Sequence, residues 1–428
     1  MLMIDINLIR ENPELVKQNI KKKFKLEKLP LVDKVIKDDK EHRKLLAEVQ
    51  VLRHERNEVS QKINQLKKEG KDAKAEIKKG KDIPEQIAKI EEKIKVLENN
   101  IKEAMLSIPN IIHESVPLGK DAAENKEIQK IGKQTEFSFP AKNHVELIEN
   151  LEIADFDTVA KTTGKGFFYL KSALAQLNQA LIRFSIDFMI KRGYMLVEPP
   201  LMIRKEICEG VVDFEFFKNM VYKIQDEDLY LIGTSEHPLI GMFISKTIDE
   251  KELPIKIVGL SQCFRKEIGS HGIDEKGLFR THQFNKVEQI VVCKPKDSYK
   301  MYDEMMKNSV DLFKELGIPT RIFECCSGDL ADLKAKSADL EAWSPRKKEY
   351  YEIGSCSNLT DAQARRLNIK ATDGKEKYLV HTLNNTAVAT SRAMVAILEN
   401  YQNKDGSITI PKVLIPYMNG ITKIEKKK

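Results

Sequence analysis

The sequence predicts an α+β protein in which a mostly antiparallel sheet domain follows an antiparallel helical arm. Three observations carry that expectation. Two stretches in the first hundred residues space their apolar side chains in alternating steps of four and three, the seam of a coiled coil. Beyond about Val145, short β-branched and aromatic runs are interleaved with amphipathic ones. Those runs lack the regular strand–helix–strand order of a parallel sheet, so antiparallel pairing is expected.

Size and composition set outer bounds on this reading. The chain has 428 residues, 72 Lys and Arg against 65 Asp and Glu, a net charge of +7 and 41% apolar residues. At roughly 150 residues per domain, that length accommodates two or three domains and a large core. No apolar run approaches the ~18 residues of a membrane span, and the opening MLMIDINLIRENPEL lacks a signal-peptide core. The expected location is the cytoplasm. The six cysteines, Cys208, Cys263, Cys293, Cys325, Cys326 and Cys356, form no CxxC pair and read as free thiols in a reducing compartment.

The arm comes first along the chain. Leu45, Val49, Leu52, Arg56, Val59, Ile63 and Leu66 form one seam, and Ile87, Ile90, Ile94, Leu97, Ile101 and Ala104 the other. Between them KKEGKDAKAEIKKGKDIP carries the breakers Gly70, Gly80 and Pro84, so a non-helical connection is expected there. The first helix, from about Val35 to Lys68, would run roughly 50 Å at 1.5 Å per residue. The tip is basic, with Lys62, Lys67, Lys68, Lys71, Lys74, Lys78, Lys79 and Lys81. A polyanion such as RNA would release counterions on meeting it. A solvated coiled coil kept soluble by its lysines is the alternative.

IPNIIHESVPLG (Ile108 to Gly119) ends the second helix and starts a linker, which divides the chain into a helical domain, 1–110, and a sheet domain, 111–428. Ser172 to Gly193 has helical apolar spacing and stops at Gly193. YMLVEPPLMI reads as a strand broken by Pro199 and Pro200. IKIVGLSQCFRKE and FNKVEQIVVC read as an antiparallel pair with a long, mobile connection. TRIFECCSG and KEYYEIGSCSN look like further strands, and the polar NNTAVAT precedes a helix from Ser391 to Gln402.

The commoner nucleotide signatures are absent: there is no GxxxxGK[ST] and no GxGxxG after a strand. TTGKGFF, from Thr162 to Phe168, lacks the upstream glycine spacing. What stands out is a series of arginines and carboxylates. If FRKE continues a strand, Arg265 and Glu267 share a face, able to clamp an anion and accept from an amine. Arg280, Phe284 and Glu288 recur at four-residue intervals, again one face of a strand. Glu352 and Ser355 offer oxygen ligands suited to Mg²⁺, and Arg392 opens the last helix. Any one of these alone is an ordinary surface salt bridge; the ordered set is harder to dismiss.

That order is similar to a known family. GYMLVEPP, then FRKE and RTHQF around a loop, then NNTAVATSRAMVAILENYQ resemble the three motifs of class II aminoacyl-tRNA synthetases. GTSE (Gly233 to Glu236), HQFNKVEQ, EIGSCSN and the coiled-coil arm narrow the resemblance to the zinc-independent seryl-tRNA synthetases. It runs from IDINLIRENPE to IPKVLIPYM, nearly the whole chain.

The resemblance implies a class II antiparallel sheet, a homodimer, and serine activation by ATP before transfer to tRNA(Ser), with tRNA(Sec) a further candidate substrate. Pro200 would be the interface proline. The resemblance assigns catalysis to Arg265, Glu267 and Arg392. ATP would meet Arg265, Lys266, Glu267, Arg280, Thr281, Phe284, Glu352, Ile353, Gly354, Ser355 and Arg392. Arg265 would bridge the α-phosphate and the serine carboxylate, Phe284 would stack on adenine, and Arg280 with Arg392 would take the outer phosphates. Glu352 and Ser355 would hold Mg²⁺. L-Serine would be enclosed by Thr234, Ser235, Glu236, Arg265, Glu288, Asn384 and Thr386, and the tip lysines would contact tRNA.

Two stretches depart from the family pattern, Cys208 to Ile224 and Gly269 to Gly277, the latter with His271, Asp274 and Glu275. His282 reads as a structural hydrogen-bonder, because this chemistry needs no imidazole. Two other functions compete: a class II relative that delivers its amino acid to a carrier protein, and an RNA-binding scaffold with a dead synthetase domain. The arm argues against the first, and the intact Arg265, Glu267, Glu288, Glu352 and Arg392 against the second.

Overall fold

The computed structural model describes residues 3–212, 219–267 and 276–426. His271, Asp274 and Glu275, and the expected long connection around them, lie outside the described residues. The chain forms two units, 1–111 and 112–428.

The first unit is helical throughout. Helices α1 (Ile6–Glu11) and α2 (Pro13–Lys22) are capped by Asp5 and Asn12, whose side chains accept from backbone N–H groups, and Pro13 opens α2 where no N–H is needed. Two long helices follow, α3 (Leu29–Lys68) of 40 residues and α4 (Lys74–Ser107) of 34. Leu45, Val49 and Val59 of α3 bury against Ile83, Ile87 and Ile94 of α4, with Leu52, Ile63, Ile90 and Leu97 half-buried alongside. The two seams therefore pair with each other, as their heptad spacing predicts.

The connection differs from expectation. It is confined to residues 69–73, and α4 begins at Lys74, ten residues before Pro84. Gly80 and Pro84 lie inside the helix rather than in a loop. A Cβ on Gly80 would stand 3.5 Å from both Val59 and Ile63, so this position faces the partner helix, and the pairing outweighs the weak helix propensity of glycine.

The second unit is built on an eight-stranded sheet. Its strands are β1 (Lys126–Ile131), β2 (Met195–Val197), β3 (Ile255–Phe264), β4 (Gln283–Cys293), β5 (Thr320–Glu324), β6 (Lys336–Ser344), β7 (Glu349–Asn358) and β8 (His381–Ala389). They lie in the order β1-β5-β6-β7-β8-β4-β3-β2, antiparallel throughout except for the β2–β3 pair. Helices α5 (His144–Leu151), α6 (Ser172–Ile190), α7 (Glu236–Gly241), α8 (Ser298–Glu315) and α9 (Thr390–Asn400) complete the frame.

Alternation along the strands decides where a site can form. On β4, Val287 and Val291 join a core containing Leu177, Leu181, Met305, Phe313, Met394 and Ile397 of α6, α8 and α9. The side chains of the other parity, Phe284, Lys286 and Glu288, therefore occupy the opposite face. On β8 the same parity gives Leu383 to the helical core and Asn384 and Thr386 to the opposite face. The β8–β4 register then slips between Thr386 and Val388, which sends Val388 to the core and Ala389 to the other side. NNTAVAT thus forms the C-terminal part of a buried strand and runs directly into α9, as its place before that helix predicts. Asn385 on this strand donates to Met305 O and Ser309 Oγ, so its side-chain amide is satisfied inside the core.

Candidate active site

β3 ends at Phe264 and β4 starts at Gln283, so Arg265, Glu267 and Arg280 are not strand residues. The expectation that period-two spacing aligns them is corrected: Glu267 has φ +44°, a left-handed conformation incompatible with a continuing strand. The short segments beyond the strand ends nevertheless bring all three to one cleft. Arg265 N–H donates to His282 O at 2.9 Å, which prolongs the β3–β4 pairing by one bond. His282 Nδ1 lies 2.8 Å from Arg265 O, and His282 N–H donates to Gly166 O. A Cβ on Gly166 would come within 2.4 Å of the imidazole. Gly166 thus lets the TTGKGFF stretch close over His282, whose ring lies against the Arg265 carbonyl.

The cleft is open to solvent, with about 550 Å³ of empty space that includes the solvent at its mouth. Of the expected ATP-contacting residues, Arg265, Glu267, Arg280, Thr281, Phe284, Glu352, Ile353, Gly354 and Arg392 line it. Lys266 and Ser355 are not among its lining residues. Lys266 instead points its ammonium over the Tyr222 ring, 5.8 Å from the centroid. Arg265 lies over Phe284, Cζ to centroid 5.4 Å, and its Nε donates to Gly233 O at 3.2 Å, so the guanidinium is held between the GTSE turn and β4. Arg280 Nε is 3.9 Å from Glu267 Oε2. Arg392, at the start of α9, donates to Glu352 O at 2.8 Å and pairs with its carboxylate at 3.0 Å.

A bulge sets the geometry of Glu352 and Ser355. In the β6–β7 register Asp339 faces Ser355 and Leu340 faces Gly354, but Glu341 faces Glu352, so Ile353 is an extra residue. That insertion places two residues three apart on the same face. Burial pushes the Glu352 carboxyl upward, yet Arg392 outweighs it and holds the pKa below its ordinary value. Asp339, half-buried and beside the Glu352 charge, is pushed up to about 6 by desolvation and that charge.

Deeper on the same face lies an acidic recess. Glu288 is 1% exposed, flanked by Gly259 on β3 and Thr386 on β8. Its Oε2 is 2.8 Å from Lys286 Nζ but has no hydrogen-bond partner among the described residues; the pair is ionic, without the directionality of a hydrogen bond. Thr234 and Ser235 are buried in the turn before α7, and a Cβ on Gly259 would meet Ser235 Oγ at 2.8 Å. Glycine at 259 is what lets that turn approach the strand. Glu236 accepts from Gln363 Nε2 at 2.7 Å. Burial, then the Glu288 charge, pushes the Glu236 carboxyl up to about 7. Asn384 and Thr386 are 9% and 8% exposed on the neighbouring strand.

Sequence reading missed Lys286, Phe279, Ala389 and Ser391, all of which line the cleft. Lys286 was within reach, since it falls midway between Phe284 and Glu288 at period two. Ala389 was not, because only the β8 bulge turns it inward.

A largely antiparallel sheet with three arginines lining a cleft on one face, and no phosphate-binding glycine loop among the described residues, defines a class of protein. The family model of the class II tRNA synthetase core domain (G, H, P, S and T) matches residues 220–401, and that of the seryl-tRNA synthetase N-terminal domain matches residues 3–112. Serine–tRNA ligase of Methanospirillum hungatei is 46% identical over 97% of this chain and 99% of its own length. That of Pyrococcus horikoshii is 45% identical over 100% and 99%. Among solved structures, P. horikoshii seryl-tRNA synthetase complexed with ATP superposes with a TM-score of 0.94, at 44% identity and full coverage of both chains. The Naegleria fowleri cytoplasmic enzyme in complex with AMP does so at 0.89 and 36%, again over all of both chains. The chain belongs to the seryl-tRNA synthetase family of class II aminoacyl-tRNA synthetases.

Proposed function

We propose that this protein activates L-serine with ATP and transfers the seryl group to tRNA(Ser). The observation that carries the reading is the junction of two chemically distinct halves on one sheet face. The outer half presents Arg265, Arg280 and Arg392 to an anion; the inner half presents Glu288, Glu236, Thr234 and Thr386 to a small, polar, cationic group.

In the first step a serine carboxylate oxygen attacks the α-phosphorus as the bond to pyrophosphate breaks, giving seryl-adenylate. In the second, a hydroxyl oxygen of the terminal tRNA ribose attacks the seryl carbonyl and AMP leaves. In-line displacement at phosphorus depends on positioning and positive charge more than on a base. Arg265, between the halves, orients the carboxylate against the phosphate, and Arg280 and Arg392 neutralise the leaving oxygens. Phe284 offers a ring face to adenine beside Arg265. The residues fit Mg²⁺: Glu352 is an anionic oxygen donor at the rim, and its mutual repulsion with Asp339 is what a divalent cation relieves. Glu352 and Ser355 would hold the ion, which supplies positive charge to the phosphate oxygens.

Glu288 and Glu236 take the ammonium and hydroxyl of serine between them, with Thr234, Ser235, Asn384 and Thr386 closing the recess. A site that hydrogen-bonds the hydroxyl rejects alanine by leaving its own buried acceptors unpaired. Threonine must be refused by shape. The arm of unit 1–111 reads the body of tRNA, with tRNA(Sec) as a second candidate. The protein acts in the cytoplasm as a homodimer, Pro200 lying at the interface, which light scattering would test as twice the 49.1 kDa chain mass. The activity test is ATP–pyrophosphate exchange without tRNA against serine, alanine, threonine and glycine. Exchange with serine alone is expected; equal exchange with alanine would overturn the assignment of the recess.

A further inference from the structure

The segment 276–281 delivers Phe279, Arg280 and Thr281 to the cleft, and its anchoring is not explained by anything that touches substrate. Its attachment runs through a buried histidine remote in sequence. His144, the first residue of α5 and 5% exposed, sits with its ring against Gly277. Gly277 has φ +116°, and a Cβ there would meet His144 Nε2 at 2.3 Å and Val145 Cγ2 at 2.8 Å. The next residue, Leu278, donates its backbone N–H to His144 Nε2 at 3.3 Å.

That bond fixes the tautomer: Nε2 accepts, so the proton is on Nδ1. His144 Nδ1 stands 3.5 Å from Glu399 Oε1, and the same carboxylate accepts from His144 N–H at 3.4 Å and from Ser344 Oγ at 2.6 Å. Glu399 belongs to α9, two turns beyond Arg392 and on the same side of the helix. Arg392 in turn lies over Phe279, Cζ to centroid 5.3 Å. Lys276 adds an ion pair to Glu149 of α5 at 2.7 Å.

We propose that His144 is a positioning residue for ATP. Held in one tautomer by Glu399, it latches Gly277 and Leu278 to α5 and α9, so that Phe279, Arg280 and Thr281 enter the cleft in register with Arg392. The latch acts on the nucleotide half of the site. The serine recess, built on β3, β4, β8 and the turn before α7, does not pass through it. The inference rests on the proposed function for the identity of the ligand.

Three variants of the full chain test it: His144→Leu, His144→Gln and Gly277→Ala. The readouts are equilibrium ATP binding without amino acid, the KM for serine in pyrophosphate exchange, and the thermal midpoint. His144→Leu removes the acceptor and should weaken ATP binding roughly tenfold or more, the scale of a small displacement of positioning groups. Its serine KM should stay within about threefold. His144→Gln keeps an oxygen acceptor able to reach Leu278 and should restore ATP binding to near the wild-type value. Gly277→Ala pushes the segment off an intact His144 and should reproduce the loss, so the test survives if His144→Leu fails to fold. A glutamine variant as impaired as the leucine one, or ATP and serine constants rising together in Gly277→Ala, would overturn the latch. Wild-type protein that binds ATP but exchanges with no serine would overturn the functional reading and leave the ATP-binding pattern of the variants to decide the latch.

Discussion

Arg265 links the two halves of the cleft, and its surroundings predict what its loss does. Its Nε bond to Gly233 O and its contact with Phe284 hold the guanidinium without any ion pair of its own among the described residues. Arg265→Ala should leave the fold intact and cut pyrophosphate exchange by two to three decades, about 3–4 kcal/mol of oxyanion stabilisation. A folded variant within about threefold of wild type would remove the residue from the mechanism. Glu288 calls for a gentler change, because alanine would leave the buried Lys286 with neither charge nor acceptor, whereas glutamine keeps an oxygen beside its ammonium. Glu288→Gln should raise the serine KM at least thirtyfold, equivalent to about 2 kcal/mol for a buried charge pair losing one partner. ATP binding should change little; the opposite pattern would mean the wrong substrate was assigned. Glu236 adds a pH signature. Its carboxyl, ordinarily near 4.5, titrates at about 7 in the folded chain, so between those values the folded state holds a proton that the unfolded state has released. The group therefore contributes less stability as pH rises through that window. A bound ammonium favours the carboxylate, so stabilisation by serine should grow from pH 6 to pH 8. Glu236→Gln should flatten that trend in thermal-shift measurements.

At the scale of elements, the arm is where sequence was most informative. Heptad spacing located both helices and their pairing, because a seam needs only a partner of the same period and no distant context. It failed at Gly80 and Pro84, where propensity suggested a break and packing of α4 on α3 kept the helix. The tip lysines divide in two. Lys62, Lys71 and Lys79 are paired with Glu76, Glu69 and Glu55, whereas Lys67, Lys68, Lys74, Lys78 and Lys81 are exposed and have no ion pair among the described residues. The second group is the one available to phosphates. Charge reversal at Lys67, Lys74 and Lys78 should weaken tRNA binding most at low salt. The slope of log affinity against log salt should flatten by somewhat under one unit for each phosphate no longer engaged, with pyrophosphate exchange unchanged. An unchanged slope would leave the lysines as solubilising charges. Among the strands, β-branched runs such as FNKVEQIVVC were legible. The polar β8 was hidden because Asn385 finds its partners on α8, and the β7 bulge that aligns Glu352 with Ser355 is a pairing property no single strand records.

The whole molecule joins a helical unit that carries exposed positive charge to a sheet unit that carries the chemistry. The order of motifs announced both, while Lys286 and the 276–281 anchor emerged only once β4 and its neighbours were assembled. Every residue assigned to activation lies in the second unit, so removing Lys34 to Met105 with a short Gly/Ser closure should preserve serine-dependent exchange and steeply reduce aminoacylation. The most direct test of the central claim is transfer itself: full-length protein, ATP, Mg²⁺ and labelled serine, with acid-precipitable label counted on tRNA(Ser) and on a tRNA lacking a long variable arm. Rapid formation of seryl-tRNA(Ser) is predicted, with little label on the second tRNA. Serine-dependent pyrophosphate exchange with no label on either tRNA would contradict it, and would mean that the activated serine goes to a different acceptor.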